Sequence, residues 1–153
     1  MKRIPILSDT HGTLRPEVKA RLREADVIIH AGDLDTPEIA EALYSYGRDT
    51  YIVRGNNDWW LTPHLPSSLR FTVEEVRFFV THNVRDVPKQ LKGVDVVVYG
   101  HSHRYSVEAR EGVLWLNPGS CGRRRFDPEL TFCMMEADAG RYHLEQVSFP
   151  ARR

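Results

Sequence analysis

Five short motifs hold the residues that could do chemistry: Asp9-Thr10-His11, Gly32-Asp33, Gly55-Asn56-Asn57-Asp58, Thr81-His82 and Gly100-His101-Ser102-His103. Together they offer seven oxygen and nitrogen donors, namely Asp9, His11, Asp33, Asn56, His82, His101 and His103. One tetrahedral zinc would use fewer, whereas two ions sharing a carboxylate would use them all and keep room for water. The set has several imidazoles and no thiolate. That favours Mn²⁺ first, with Fe²⁺, Zn²⁺, Ni²⁺ or Co²⁺ as alternatives, over the harder Ca²⁺. Two such ions roughly 3.5–4 Å apart clamp a phosphate and hold a hydroxide for in-line attack. The chemistry to expect is hydrolysis of a phosphate ester.

The elements that must position these donors alternate in the first half of the chain. Ile4–Thr10, Asp26–Asp33 and Thr50–Arg54 are short apolar runs that predict buried strands. Between them, 14–24 and 36–46 predict helices, with Pro16 and Pro37 in the first turns, Thr36 as N-cap and Gly47 as stop. This βαβαβ order implies parallel strands covered by helices. The second half predicts strands at 69–74, 76–82, 94–99, 105–109, 113–116, 130–136 and 142–149, with a short helix over 87–92. Turns such as Glu111-Gly112 and Ala139-Gly140 read as hairpins. Each of the five motifs then falls at the carboxyl end of a strand, where ligands gather in sheets with parallel strands. Residues two apart on an extended segment share a side, so Asp9 with His11, and His101 with His103, should aim at one place. Glycines before Asp33, Asn56 and His101 should let the backbone turn there.

Composition narrows the class further. With 153 residues, 41% hydrophobic and 27% charged, the chain can bury a core over a single domain spanning 1–153. Lys and Arg number 21, as do Asp and Glu, so no net field recruits nucleic acid. Cys121 and Cys133 form neither a Cys-x-x-Cys motif nor a disulfide framework. Met1-Lys2-Arg3 leads into an apolar stretch too short for a signal-peptide core, and no run approaches a membrane span. A cytoplasmic protein is the expectation, with a small phosphate ester as its partner and no membrane. Homo-oligomerisation is left open.

In order, D-x-H, G-D, G-N-x-D, H and G-H-x-H resemble the calcineurin-like metallophosphoesterases. The compact chain and Asn117-Pro118-Gly119-Ser120 resemble the small YfcE-type phosphodiesterases. The resemblance covers about residues 4–120 and implies an α/β fold, a four-layer α-β-β-α sandwich of two mixed sheets flanked by helices. It implies that Asp9, His11, Asp33 and His103 hold one ion. Asp33 would bridge to a second ion held by Asn56, His82 and His101, with Asn56 also near the phosphate. Three departures stand out. Asn57 occupies the position where many relatives carry a histidine proposed to protonate the leaving group, and an amide is no general acid. The segment between His82 and Val94 is short, with Asn83 where relatives usually have glycine. Cys121-Gly122-Arg123-Arg124-Arg125 has no family role.

The remaining candidates divide between the site and its surroundings. Asn56, Asn57 and Arg54 are candidate substrate contacts, and Arg54 could equally be a structural strand-end residue. Asn56 and Asp58 form the candidate catalytic set. Asp58 reads as an orienting group, and it is the first carboxylic acid to test if acid catalysis dominates. His30 reads as a satisfied buried histidine or a support to the ligands, and His64 and His143 as exposed. Trp59-Trp60 could stack a base, but packing or an interface is favoured. Arg123–Arg125 reads first as a solvated loop and second as a phosphate contact. Cys121 reads as a small loop residue, and Asn117-Pro118-Gly119 as a tight turn beside the site. Two further functions compete: a non-catalytic, metal-free binding scaffold of the same fold, and a nuclease-type enzyme using Arg123–Arg125 and the tryptophans. The intact ligand set argues against the first and the balanced charge against the second.

Overall fold

The computed structural model describes residues 1–58, 65–123 and 129–151. The first half runs β1 (Lys2–Leu7), α1 (Pro16–Leu22), β2 (Val27–His30), α2 (Pro37–Tyr44) and β3 (Asp49–Ile52). Then come β4 (Ser68–Val73), β5 (Val76–Thr81), β6 (Val96–Val98), β7 (Ser106–Arg110), β8 (Val113–Asn117), β9 (Glu129–Asp138) and β10 (Arg141–Pro150). They form two five-stranded sheets, ordered β10-β9-β1-β2-β3 and β4-β5-β6-β8-β7. Each is mixed. β1, β2 and β3 run parallel and β9 joins β1 antiparallel, while β5, β6 and β8 run parallel between antiparallel edges. This is the expected pair of mixed sheets.

Alternation along the strands explains the layers. Ile4, Ile6, Val27 and Ile29 of the first sheet meet Val76, Phe78, Val80, Val96 and Val98 of the second in one buried core. On the other face of the first sheet, Leu7 and Ile28 pack with Val18 and Leu22 of α1 and Ile39 and Leu43 of α2. Strands buried on both faces must be apolar throughout, which is why β1 and β2 show no polar alternation. Each large apolar side chain taken fully out of water contributes about 1.5–3 kcal/mol.

The cover over the second sheet differs from the expected helix at 87–92. A single 3₁₀ turn, Val84–Asp86, is followed by non-helical chain, and Val87 and Leu91 from this stretch pack on Phe79, Val94 and Val97. Val87 takes the extended conformation that a residue before proline prefers (φ −75°, ψ 127°), as do the residues before Pro16 and Pro37, but only 88–92 remain before Gly93 turns the chain at φ 70°, too short a run to hold a helix. The two real helices start at their prolines, as expected. Thr36 sits at the N-cap but makes no side-chain capping bond. Among the described residues no helix is long and apolar enough to cross a membrane.

Candidate metal centre

β1, β2 and β3 end side by side, and β5 and β6 of the facing sheet end above the same place. The loops after them deliver Asp9 and His11, Asp33, Asn56, His82, and His101 with His103. The strands stop before the donors do, because Asp9, His11, Asp33, His101 and His103 all have positive φ, between 47° and 74°. The donors converge through left-handed kinks and not through the pleat of an extended strand, which corrects the sequence expectation. Each such residue costs of order 1–3 kcal/mol unless its surroundings fix it. The glycines also divide by role. Gly32 turns the chain at φ 107°, whereas Gly55 is there for space, since a Cβ on it would lie 2.1 Å from Asp33 Oδ1.

What fixes the kinks is a buried hydrogen-bond network. Asp58, 1% exposed, accepts N–H bonds from Asp33 (2.7 Å), Leu34 (3.0 Å), Asp35 (2.9 Å) and Gly55 (2.8 Å). It gathers the Asp33 loop and the Asn56 loop onto one carboxylate. His30, fully buried, accepts the Gly32 N–H at Nδ1 (3.0 Å), so its neutral tautomer donates from Nε2 to the Thr10 hydroxyl (3.0 Å). Burial pushes the His30 imidazole down to about 4 against the pull of Asp58 and Asp9. Ser8 Oγ donates to Asp9 Oδ2 (2.7 Å), and the His101 N–H reaches the same oxygen (3.1 Å). Asn117 donates to the Gly100 carbonyl and the Ser102 hydroxyl, and accepts the Gly119 N–H, closing the turn beside the site.

With those bonds made, the atoms left over face one another. His11 Nε2 lies 3.1 Å from His103 Nε2, and Asp9 Oδ1 lies 3.3 Å from His103, 3.6 Å from His11 and 3.9 Å from His82. Asp33 Oδ2 is 3.3 Å from His82 Nε2 and 3.9 Å from His11 Nε2, within reach of both groups of imidazoles. His82 donates from Nδ1 to the Ala31 carbonyl (2.8 Å), which leaves Nε2 as the free lone pair. Asp9 Oδ1, His82 Nε2 and His103 Nδ1 are buried with no hydrogen-bond partner. Buried polar atoms without partners are rare in native proteins and need an explanation. Two of the three point to a cation: Asp9, His11 and His103 form one cluster able to hold an ion, and Asp9, Asp33 and His82 another. The residues present fit a pair of divalent ions.

Electrostatics agree with this fit. Burial opposes the charge on Asp9, yet His103, His11 and His82 more than offset it and hold the carboxyl well below the usual carboxylate range. Burial likewise opposes the charged form of His11, but Asp9 and Asp35 lift it to about 9. Burial raises Asp33 and His82 lowers it, for a net lowering, while Asp33 and Asp9 raise His82 against its burial. Negative charge dominates the centre, and a positive partner relieves it.

A cavity of about 440 Å³ opens over the cluster, lined by His11, Asp33, Asn56, Asn57, His101, His103 and Arg123. Asn56 and His101 are exposed at its edge, within the same cavity as the buried donors. Arg54, a candidate substrate contact, is exposed and is not among the described residues that line the cavity, and its backbone N–H donates to the Pro66 carbonyl (2.9 Å). Asp58 has both oxygens engaged by N–H donors, so it positions loops and presents no oxygen to the cavity. Two contributors were missed in the sequence. Ser8 fixes Asp9, and Asp35 accepts from His11 Nδ1 (2.9 Å) and Asn57 Nδ2 (3.2 Å). The signal for Asp35 was its place two residues after Asp33. Cys121 and Cys133 are buried free thiols pushed up to about 12 by burial, which makes them inert. His143 is exposed on β10, away from the cavity. Trp59, Trp60, His64, Arg124 and Arg125 lie outside the described residues.

Known proteins match this arrangement over nearly the whole chain. The family described as "Calcineurin-like phosphoesterase superfamily domain" matches residues 1–140. A probable metallophosphoesterase of Methanothermobacter thermautotrophicus is 34% identical over 131 residues, covering 76% of each chain. The phosphodiesterase YfcE of Escherichia coli is 27% identical over 165 residues, covering 90% of this chain and 89% of that one. The fold is shared with Vacuolar Protein Sorting 29 of Cryptosporidium parvum at a TM-score of 0.71 and 17% identity, covering 98% of both chains. Two mixed sheets ending in one Asp/His cluster, and a family match over residues 1–140, lead to one assignment: the chain belongs to the calcineurin-like phosphoesterase superfamily.

Proposed function

We propose that this protein hydrolyses phosphodiester bonds, and phosphomonoesters as a second class, at a centre of two divalent ions. The observation that carries the reading is the convergence of Asp9, His11, Asp33, His82 and His103, with Asp9 Oδ1 and His82 Nε2 buried and unpartnered. Asp9, His11, Asp33 and His103 would hold one ion, and Asp33, Asn56, His82 and His101 the other, manganese being the first choice for this N/O set. Such a pair supplies Lewis acidity toward the phosphoryl oxygens and makes water acidic enough to attack near neutral pH. The chain itself does the rest. Asp35 and the Ala31 carbonyl fix the tautomers of His11 and His82, so that Nε2 is the donor atom in each. Asn56 and Asn57 offer amides at the cavity wall for the phosphate. Among the described residues of the lining, His11, Asp33, His101 and His103 would be taken up by the ions, which leaves no free general acid, so the leaving group departs largely unprotonated.

Chelation should abolish hydrolysis of bis-p-nitrophenyl phosphate, and added Mn²⁺ should restore it. Full activity in the chelated protein would end this reading. The fold shared with Vacuolar Protein Sorting 29 raises a scaffold as a second reading, in which the chain binds a partner and needs no ion. A scaffold would hydrolyse neither bis-p-nitrophenyl phosphate nor p-nitrophenyl phosphate even when loaded with metal, whereas the enzyme should turn over the first.

A further inference from the structure

The turn after β8 is built into the centre. Ser120 Oγ accepts the Arg123 N–H (3.1 Å) and lies 2.9 Å from the Asp9 carbonyl and 2.7 Å from the Arg123 carbonyl, to either of which it can donate. The Cys121 N–H and thiol both face the Ser8 carbonyl, and Arg15 donates from Nε (3.3 Å) and Nη2 (2.9 Å) to the Gly122 carbonyl. Gly122 presses on the backbone between two ligands, since a Cβ there would lie 1.8 Å from the Thr10 carbonyl oxygen. Residues 120–123 therefore ride on the Asp9-Thr10-His11 loop as one body. They carry Arg123 to the cavity, where it is the one arginine or lysine in the lining among the described residues.

We propose that Arg123 is an anion subsite for the phosphoryl group and that it tilts the enzyme toward dianionic phosphomonoesters over monoanionic diesters. This deepens the phosphoesterase reading and rests on it. Arginine is always charged and its planar fork matches a pair of phosphate oxygens. A monoester offers that fork an extra terminal oxygen and an extra charge, where a diester offers an alkylated oxygen. The backbone of residues 120–123 is already ordered by bonds to Ser8, Asp9 and Arg15, so binding orders only the side chain.

The test uses the Mn²⁺-loaded full chain, with Arg123→Ala and Arg123→Lys. Inorganic phosphate is titrated calorimetrically, and kcat/KM is measured for p-nitrophenyl phosphate and its bis ester. A charge-assisted hydrogen bond contributes about 1.5–3 kcal/mol, so Arg123→Ala should weaken phosphate binding about 10- to 100-fold. It should lower the monoester kcat/KM by a similar factor and the diester value by several-fold less. Arg123→Lys should recover part of the loss, because it restores the charge but not the fork. Metal content by atomic emission and the melting temperature should not change. Unchanged phosphate affinity in Arg123→Ala, or an equal loss for both esters, overturns the subsite while leaving the phosphoesterase reading intact. A wild-type protein that hydrolyses neither ester, yet binds phosphate through Arg123, overturns that reading and keeps the anion site.

Discussion

The two sides of the candidate metal centre are held in different ways. On the first-sheet side every donor loop is tied down: Asp58 gathers the Asp33 and Gly55 loops, His30 joins Gly32 to Thr10, and Asp35 holds His11. On the second-sheet side the imidazoles are looser. His82 has one bond to the Ala31 carbonyl, His103 Nδ1 has no partner, and the His101 side chain is exposed. The outer faces repeat the contrast, with two helices over the first sheet and a 3₁₀ turn with loop over the second. Three parallel strand ends lying side by side allow a single buried carboxylate to bind several loops at once. The facing sheet supplies His82, His101 and His103 across a gap, where no one carboxylate reaches several loops in this way.

The largest effect that sharpens this contrast is expected from the shared carboxylate. Asp33 Oδ2 reaches both groups of imidazoles, so in the proposed centre Asp33→Asn would weaken both ion sites, while Asn56→Ala would remove one neutral donor. An electrostatic loss of several kcal/mol predicts a fall in kcat/KM on the order of 10³-fold for Asp33→Asn. Asn56→Ala should lose about 10-fold. Equal losses on bis-p-nitrophenyl phosphate would mean that no carboxylate is shared.

Next comes stability. Asp58→Ala leaves four backbone N–H groups without their acceptor, which should cost on the order of 3 kcal/mol in urea unfolding. His101→Ala on the looser side should change stability by no more than about 0.5 kcal/mol, while still weakening Mn²⁺ binding. If the two variants unfold alike, the contrast between the sides is wrong.

Acid probes the first-sheet side through His30. Burial lowers its native pKa from 6.5 to about 4, and a proton on Nδ1 would confront the Gly32 N–H. The unfolded chain takes up this proton near pH 6.5 and the native one only near 4. The contribution is therefore complete above about pH 6.5, declines as pH falls, and is fully lost below about 4. One pKa unit corresponds to 1.36 kcal/mol, so the loss is about 2 kcal/mol at pH 5. His30→Gln should flatten this part of the stability–pH curve, measured by urea unfolding at each pH. An unaltered slope would assign the acid sensitivity elsewhere.

The smallest effect concerns the cavity wall. Asn57 is exposed in the lining, so Asn57→His places a titratable group there without disturbing the core. Esters with poor leaving groups should gain about 10-fold, the lower reach of general-acid catalysis, and nitrophenyl esters little. A uniform change across leaving groups would show that protonation does not limit the reaction.

By itself the sequence determined the two mixed sheets and picked out Asp9, His11, Asp33, His82 and His103, which the structure brings together. Both are written in local pattern: apolar runs buried on two faces, and polar motifs where those runs end. Only tertiary structure decided how the donors meet. Their convergence depends on left-handed kinks that no spacing encodes, and on Asp58 and His30 bonding to loops far away in the chain. The same holds at the cavity. Arg123 belongs to it because Gly122 and Ser120 dock one turn against Asp9-Thr10-His11. Contacts between distant loops are set by the packing of two sheets, and one chain read in order carries no signal for them.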